Sequence, residues 1–425
     1  MTNNLYTPQN SFFEKNRKLF RPGRAGAFSN PSKVLGVFCP GKVLGIFQSG
    51  DNCNQDLVFR KTKNQIGFSI HTNKMDKNTV LITGASGFIG TALIARFINN
   101  YFIIGIDKIL NKDRENMVLW YKVDISDKEH LNNTFREIRE KVCRKIDYVF
   151  HLAAYYDMLN EENEMYRKTN ENGTRYLLDN LIDFDVNNFI FTSSTTVMKP
   201  SIGSEKLSEN SALTSTFCYG KSKIEGEEIV LEFKEKIKTT IFRLTGVYSN
   251  DCGLIPLANQ IAFIWRKGFG YKILPGKGEG GISYVHIEDV LDAFEKTIFM
   301  FKEIPSGSIF IVSEDEYVPI SNLYNQIFCE IYGKKLNFIH LPKWLVCFFV
   351  YITNLIYSIL GREFFFKPWM INLADRKFRF DIDNAKRMLN WQPRFLLKEY
   401  MKVIIKNLKN DPKRWFEINR IIPKY

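Results

Sequence analysis

From residue 78 onward, short apolar runs bounded by turn residues alternate with segments of helical length, the order that a parallel sheet with crossover helices requires. Six runs read as strands: Thr79 to Thr83, Phe102 to Ile106, Val118 to Val123, Tyr148 to His151, Asn188 to Thr192 and Thr239 to Arg243. The pattern predicts an α/β fold with a doubly wound parallel sheet. Before residue 75 it is absent. Gly, Pro, Asn and Ser recur there, periodicity is poor, and the near-repeat Lys33–Phe38 and Lys42–Phe47 occurs only twice, too few copies for a solenoid. Residues 1–74 are expected to be a basic extension with little packed structure ahead of a folded part starting at Met75. A basic targeting or docking arm is the alternative.

Charge sharpens this division. Eleven Lys/Arg against three Asp/Glu give residues 1–74 a net +8 of the chain's +13, so the remaining 351 residues are nearly balanced and a nucleic-acid role has little support. Seven cysteines (39, 53, 143, 218, 252, 329 and 347) show neither a C-x-x-C pair nor zinc-ligand spacing. Reduced thiols, a cytoplasmic setting and no metal site are expected.

Between the first strand and the first helix, Gly84, Gly87 and Gly90 stand at G-x-x-G-x-x-G spacing. The first glycine permits a tight turn, the second lets backbone approach a pyrophosphate, and the third allows close packing of helix on sheet, as in Rossmann-type dinucleotide sites. The second strand ends in Asp107, whose carboxylate suits both adenosine ribose hydroxyls and would repel a 2′-phosphate, favouring NAD. Asp124, after the third strand, either meets the adenine amino group or caps a helix.

Tyr219 and Lys223 stand four apart, so a helix puts both on one face. A phenol with an ordinary pKa of about 10 is a poor base near neutrality. An adjacent ammonium stabilises its anion and lets it take a proton from an alcohol. Twenty-five residues upstream, Ser194 ends a strand and offers a hydroxyl to the same substrate oxygen, or satisfies local backbone groups.

Residues 78 to 400 resemble the extended short-chain dehydrogenase/reductase family, which includes nucleotide-sugar epimerases and dehydratases and 3β-hydroxysteroid dehydrogenase-like enzymes. The resemblance rests on T-G-A-S-G-F-I-G at 83–90, D-Y-V-F-H-L-A-A at 147–154, N-E-N-G-T at 170–174, F-T-S-S-T-T-V at 191–197, Y-G-K-S-K at 219–223, F-R-L-T-G-V-Y at 242–248 and S-Y-V-H-I-E-D-V at 283–290. It implies that Tyr219 is the acid/base, Lys223 its electrostatic partner and ribose ligand, and Ser194 the group that positions the substrate oxygen. It implies that Gly84, Gly87, Phe88, Ile89 and Gly90 hold the pyrophosphate, Asp107 the ribose, and Asp124 with Ile125 the adenine. Ala153, in the stretch His151–Ala154, would line the cofactor's path by its backbone. Where the family's dehydratases carry an Asp-Glu pair after the catalytic hydroxyl, this chain has Thr195 and Thr196, which speaks against dehydration. A homodimer is implied by the resemblance alone.

The division expected is a Rossmann domain over 75–248, a smaller C-terminal substrate-binding lobe over 249–410 with returns to the Rossmann core, and a tail over 411–425. His286 is expected to be structural. From Trp344 to Gly361 run eighteen residues without a charge, bracketed by Lys343 and Arg362, too diluted by polar residues for a clear membrane span. A buried helix, or one touching a membrane over a lipid-friendly pocket, is expected. The leading function is an NAD-dependent nucleotide-sugar epimerase-type reaction; the alternatives are oxidation of a sterol or other lipid hydroxyl, and non-catalytic dinucleotide binding.

Overall fold

Strands covered on both faces read as near-continuous apolar runs, and most of the runs in this chain are used in that way. The computed structural model describes residues 77–111, 117–201, 203 and 205–421; the expected basic extension over residues 1–74 lies outside them. Thr79–Thr83 (β1), Phe102–Asp107 (β2), Leu119–Lys122 (β3), Lys145–His151 (β4), Asp185–Ser194 (β5) and Thr239–Leu244 (β6) fall on the six predicted runs. Gly246–Tyr248 (β7), Ile273–Pro275 (β8), Gly281–Ile282 (β9) and Tyr284–His286 (β10) are short. Ser308–Val312 (β11) then returns to the large sheet, ahead of Val318–Pro319 (β12) and Ile339–Leu341 (β13).

The large sheet runs β11-β6-β5-β4-β1-β2-β3, with every neighbouring pair parallel. Side chains alternate between its faces. Val80, Ile82, Tyr148 and Phe150 pack in one core with Leu93, Ile94 and Phe97 of α1 (Phe88–Phe97), while Leu81, Ile104, Ile106 and Val149 pack in the other. The second core is covered by α2 (Lys128–Lys141), α3 (Gly173–Leu181) and α4 (Cys218–Glu232). Strand order reverses between β1 and β4: the chain leaves β1 toward β2 and β3, and leaves β4 toward β5 and β6. Their outgoing loops diverge and open a crevice at the carboxyl ends of the strands.

A third core builds the C-terminal lobe from α5 (Ile255–Trp265) and α7 (Ile320–Tyr332), while α6 (Ile287–Phe299) stays on the first face of the sheet. The rest of the chain adds α8 (Lys343–Ile359), α9 (Pro368–Asn372), α10 (Asp383–Leu389), α11 (Leu397–Asn410) and α12 (Pro412–Ile418). His286 is the N-cap of α6, its Nδ1 accepting from Glu288 N at 3.2 Å while its ring stacks on Phe395.

Two expectations are corrected here. Residues past 410 are not all tail, because Asp411 caps α12 and Trp415, only 1% exposed, is buried with Phe416 in the lobe core. The uncharged segment is not a buried helix: of the side chains of α8, only Val346 is buried, since the lobe core is already filled by α5, α7 and α11.

One position tests the fold's tightest turn. Gly84 has φ +68°, and a Cβ there would stand 2.7 Å from the backbone nitrogen of Ala153, which has no room to yield. Gly84→Ala is expected to cost about 1–3 kcal/mol in chemical denaturation; an unchanged midpoint would contradict the geometry.

Candidate active site

The turn after β1 is held from both sides. Gly84 N donates to Ile106 O at 2.9 Å, and Ser86 N donates to Asp107 Oδ2 at 2.9 Å, so the acid ending β2 braces the glycine turn. Its other oxygen accepts from Ile109 N at 3.1 Å. A Cβ on Gly90 would lie 2.3 Å from Gly84 O, so α1 meets the turn as closely as a hydrogen atom allows. Gly87 is the N-cap of α1, with no side chain to satisfy the helix's free N–H groups. Phe88 is exposed and lies over Gly253, and Ile89 is partly buried against the sheet core. Ala153 N donates to Thr83 Oγ1 at 3.3 Å, which fixes the loop after β4 beside the turn.

Asp124 accepts from Ser126 N at 3.0 Å and from Ser126 Oγ at 2.7 Å, closing a local turn. The helix-cap alternative falls to Asp127 instead, which accepts from His130 N at the start of α2. Ile125 is buried, with its side chain and its carbonyl oxygen both close to Gly173.

On α4, Tyr219, Lys223 and Glu227 follow at four-residue steps along one face. Lys223 is 1% exposed; its Nζ donates to Thr192 O at 2.8 Å and lies 4.6 Å from the centre of the Phe191 ring and 5.8 Å from that of Tyr219. Burial lowers the pKa of its amine to about 7, with Glu227 opposing the shift. Glu227 is itself held by Arg243, whose Nε donates at 3.0 Å and Nη2 at 2.7 Å, and by the hydroxyl of Ser193. Tyr219 sits edge-to-face with Tyr156, centroids 4.9 Å apart, and burial pushes its phenol above the ordinary value, keeping it protonated in this state. Among the described residues its hydroxyl has no hydrogen-bond partner.

Ser194 Oγ accepts from Thr196 N at 3.2 Å and from Thr196 Oγ1 at 3.0 Å. A Cβ on Gly220 would meet Thr196 O at 2.5 Å and Ser215 Oγ at 2.1 Å, so the first turn of α4 is seated directly on the loop that follows Ser194. The glycine turn, the end of β5 and the start of α4 therefore share the carboxyl edge of the sheet.

Asn170, Glu227 and Arg243 at this edge were not singled out from the sequence, and His151 was named there only for its backbone. His151 is fully buried, with Nδ1 2.6 Å from Thr83 Oγ1 and Nε2 2.9 Å from Thr174 Oγ1. Burial, then the nearby Lys223, lowers its pKa to about 3, so it is neutral and acts as a tie between β1, β4 and α3. Asn170 accepts from Tyr155 N at 2.7 Å and donates to Tyr155 O at 3.0 Å and to Ser222 Oγ at 2.8 Å, pinning the loop after β4 to α4 beside Lys223. Asn170 lies in the string N-E-N-G-T, which carried no role by itself. Glu227 and Arg243 form the buried ion pair behind Lys223. Their signal was a charge four residues on from Lys223, and another inside an apolar strand.

The sequence pattern of the NAD dependent epimerase/dehydratase family matches residues 80–313, from β1 to just past β11. The chain belongs to that family. Among its relatives, UDP-glucose 4-epimerase of Drosophila melanogaster is 26% identical over 300 residues, covering 61% of this chain and 84% of that protein. Sterol-4-alpha-carboxylate 3-dehydrogenase, decarboxylating, of Mus musculus is 21% identical over 339 residues, covering 77% and 89%. The fold matches the crystal structure of UDP-glucose 4-epimerase with UDP-glucose from Thermotoga maritima at a TM-score of 0.60 and 22% identity, over 79% of this chain and all of that one. Membership of the NAD dependent epimerase/dehydratase family agrees with the doubly wound sheet and the C-terminal lobe read from the sequence.

Two substitutions probe this arrangement. Glu227→Ala leaves the buried Arg243 guanidinium without its carboxylate and is expected to cost about 3–5 kcal/mol of stability by denaturant titration. Lys223→Met tests the amine. Between its folded pKa of about 7 and the ordinary 10.5, the unfolded chain binds the extra proton, so this group's effect makes stability rise with pH across that window. The parent chain should gain on the Lys223→Met variant from pH 7 to pH 10; a constant difference would show that the amine titrates normally.

Proposed function

We propose that this chain is an NAD-dependent epimerase-type enzyme acting on a secondary alcohol of a nucleotide sugar, with Tyr219 as acid and base. The observation that carries the reading is the seating of α4 through Gly220 on the loop after Ser194, with Lys223 buried one turn beyond Tyr219. The residues present fit the cofactor: the cradle at Gly84–Gly90 leaves only backbone where a pyrophosphate would lie, and the nearest acid, Asp107, stands where a ribose needs an acceptor. Gly84, Gly87, Phe88, Ile89 and Gly90 would hold the pyrophosphate, Asp107 and Lys223 the two riboses, Asp124 and the backbone of Ile125 the adenine, and Ala153 the path between them. NAD, when bound, supplies the hydride acceptor and a positive charge.

With that charge added, Lys223 holds the Tyr219 phenolate against the effect of burial. Tyr219 takes the proton of the sugar hydroxyl while Ser194 orients the oxygen, and returns a proton to the same oxygen once the keto sugar has presented its other face. No net oxidation results. Thr195 and Thr196 offer no carboxyl to drive loss of water. The proposed assembly is a homodimer in the cytoplasm, and the described cysteines are all free thiols. One observation favours a second reading, oxidation of a lipid or sterol hydroxyl by the same groups: the apolar surface of α8.

The purified protein should release NAD on denaturation and interconvert a nucleotide sugar without accumulating NADH. Tyr219→Phe should keep its NAD and lose about 10²–10⁴-fold in kcat. NADH accumulating with a hydroxysteroid, together with inertness to nucleotide sugars, would establish the second reading. Full activity in Tyr219→Phe would remove both.

A further inference from the structure

A surface helix normally turns its apolar stripe inward. On α8 the stripe faces out: Trp344, Phe348, Tyr351, Leu355 and Ile359 follow at helical spacing and all are exposed, Trp344 at 72% and Ile359 at 78%. The inner side is fixed by polar contacts. Asn354 Nδ2 donates to Phe366 O at 2.8 Å, and Lys367 Nζ donates to Asn354 Oδ1 at 3.2 Å.

Beside α8 lies the β8–β13 ladder, which joins Ile273 to Ile339 and Pro275 to Leu341. Its flanks add apolar surface and charge of one sign. Phe269 is 91% exposed and Ile339 is exposed. Lys272, Lys277, Lys334 and Lys335 are exposed and lack an ion-pair partner among the described residues. No acidic residue occurs between 266 and 277 or between 331 and 362.

We propose that this edge of the lobe docks on an anionic lipid bilayer, with α8 lying in the headgroup plane. Outward aromatic and aliphatic side chains beside unpaired lysines are what an interfacial helix uses: rings and alkyl groups enter the acyl boundary, while the cations meet lipid phosphates and carboxylates. Length excludes a span. α8 has 17 residues, roughly 26 Å at 1.5 Å each, short of the ~30 Å hydrocarbon core. No helix of the described residues is long and apolar enough to cross a membrane.

The edge also reaches the reacting helix. Ring contacts run from Tyr357 through Phe364 and Phe366 to Phe263, and from Trp369 of α9 to Phe217, the residue that opens α4 two positions before Tyr219. Docking places the mouth of the site beside the bilayer, where a lipid-borne sugar or a lipid alcohol would meet it. The docking inference does not rest on the nucleotide-sugar reading, because binding is measured without turnover.

The full chain is floated with vesicles of phosphatidylcholine plus phosphatidylserine, and with phosphatidylcholine alone. It should bind the anionic vesicles at least about tenfold better, and added salt should weaken the binding. Trp344→Glu combined with Ile359→Glu should abolish flotation with thermal midpoint and NAD content unchanged, and Lys334→Glu with Lys335→Glu should weaken it. No flotation, equal flotation of the parent and the Trp344/Ile359 variant, or a dimer that this variant splits in light scattering would overturn the proposal, the last by assigning the face to a second copy. If vesicles bind but nucleotide sugars are inert, only the reading of the substrate fails.

Discussion

An amine removed from water loses its hydration and holds its charge only through the partners it is given. Lys223 meets this constraint on every side: a carbonyl from β5, the face of Phe191, and Glu227 one turn further along its own helix, itself neutralised by Arg243. In the proposed reaction Tyr219 relies on that amine together with the cofactor's charge, because burial holds the phenol in its protonated form.

The surrounding fold supplies precision. His151 and Asn170 are buried polar groups that bond across elements distant in sequence, fixing β1, β4, α3 and α4 against one another before any ligand binds. Glycines at 84, 90 and 220 act at the same edge by close approach, where a single added carbon would meet backbone. Preorganisation of this kind is what the proposed sharing of one substrate oxygen by Tyr219 and Ser194 requires.

How much of this could be read from the letters follows from the range of each interaction. The strands, the glycine turn and the Tyr219–Lys223 face are local patterns, each decided within about a dozen residues. The pairs His151–Thr83 and Asn170–Ser222 are separated by 68 and 52 residues, and only the sheet order brings them together. Asp124 was ambiguous because a strand-end acid and a helix cap look alike until the helix is seen to start at Asp127. For α8 the lack of charge was legible, but whether it faces a core or the outside is decided by three other helices filling the lobe. The packing of α12 was missed although Asp411 and Pro412 form a helix-start signal ahead of Trp415.

A crystal structure of the chain with NAD and a nucleotide sugar tests the central claim most directly. The account predicts the Tyr219 hydroxyl about 2.6–3.2 Å from the sugar oxygen that reacts, with Lys223 Nζ on the nicotinamide ribose. A dinucleotide bound in the glycine cradle while the Tyr219 and Lys223 side chains point away from it would contradict the account.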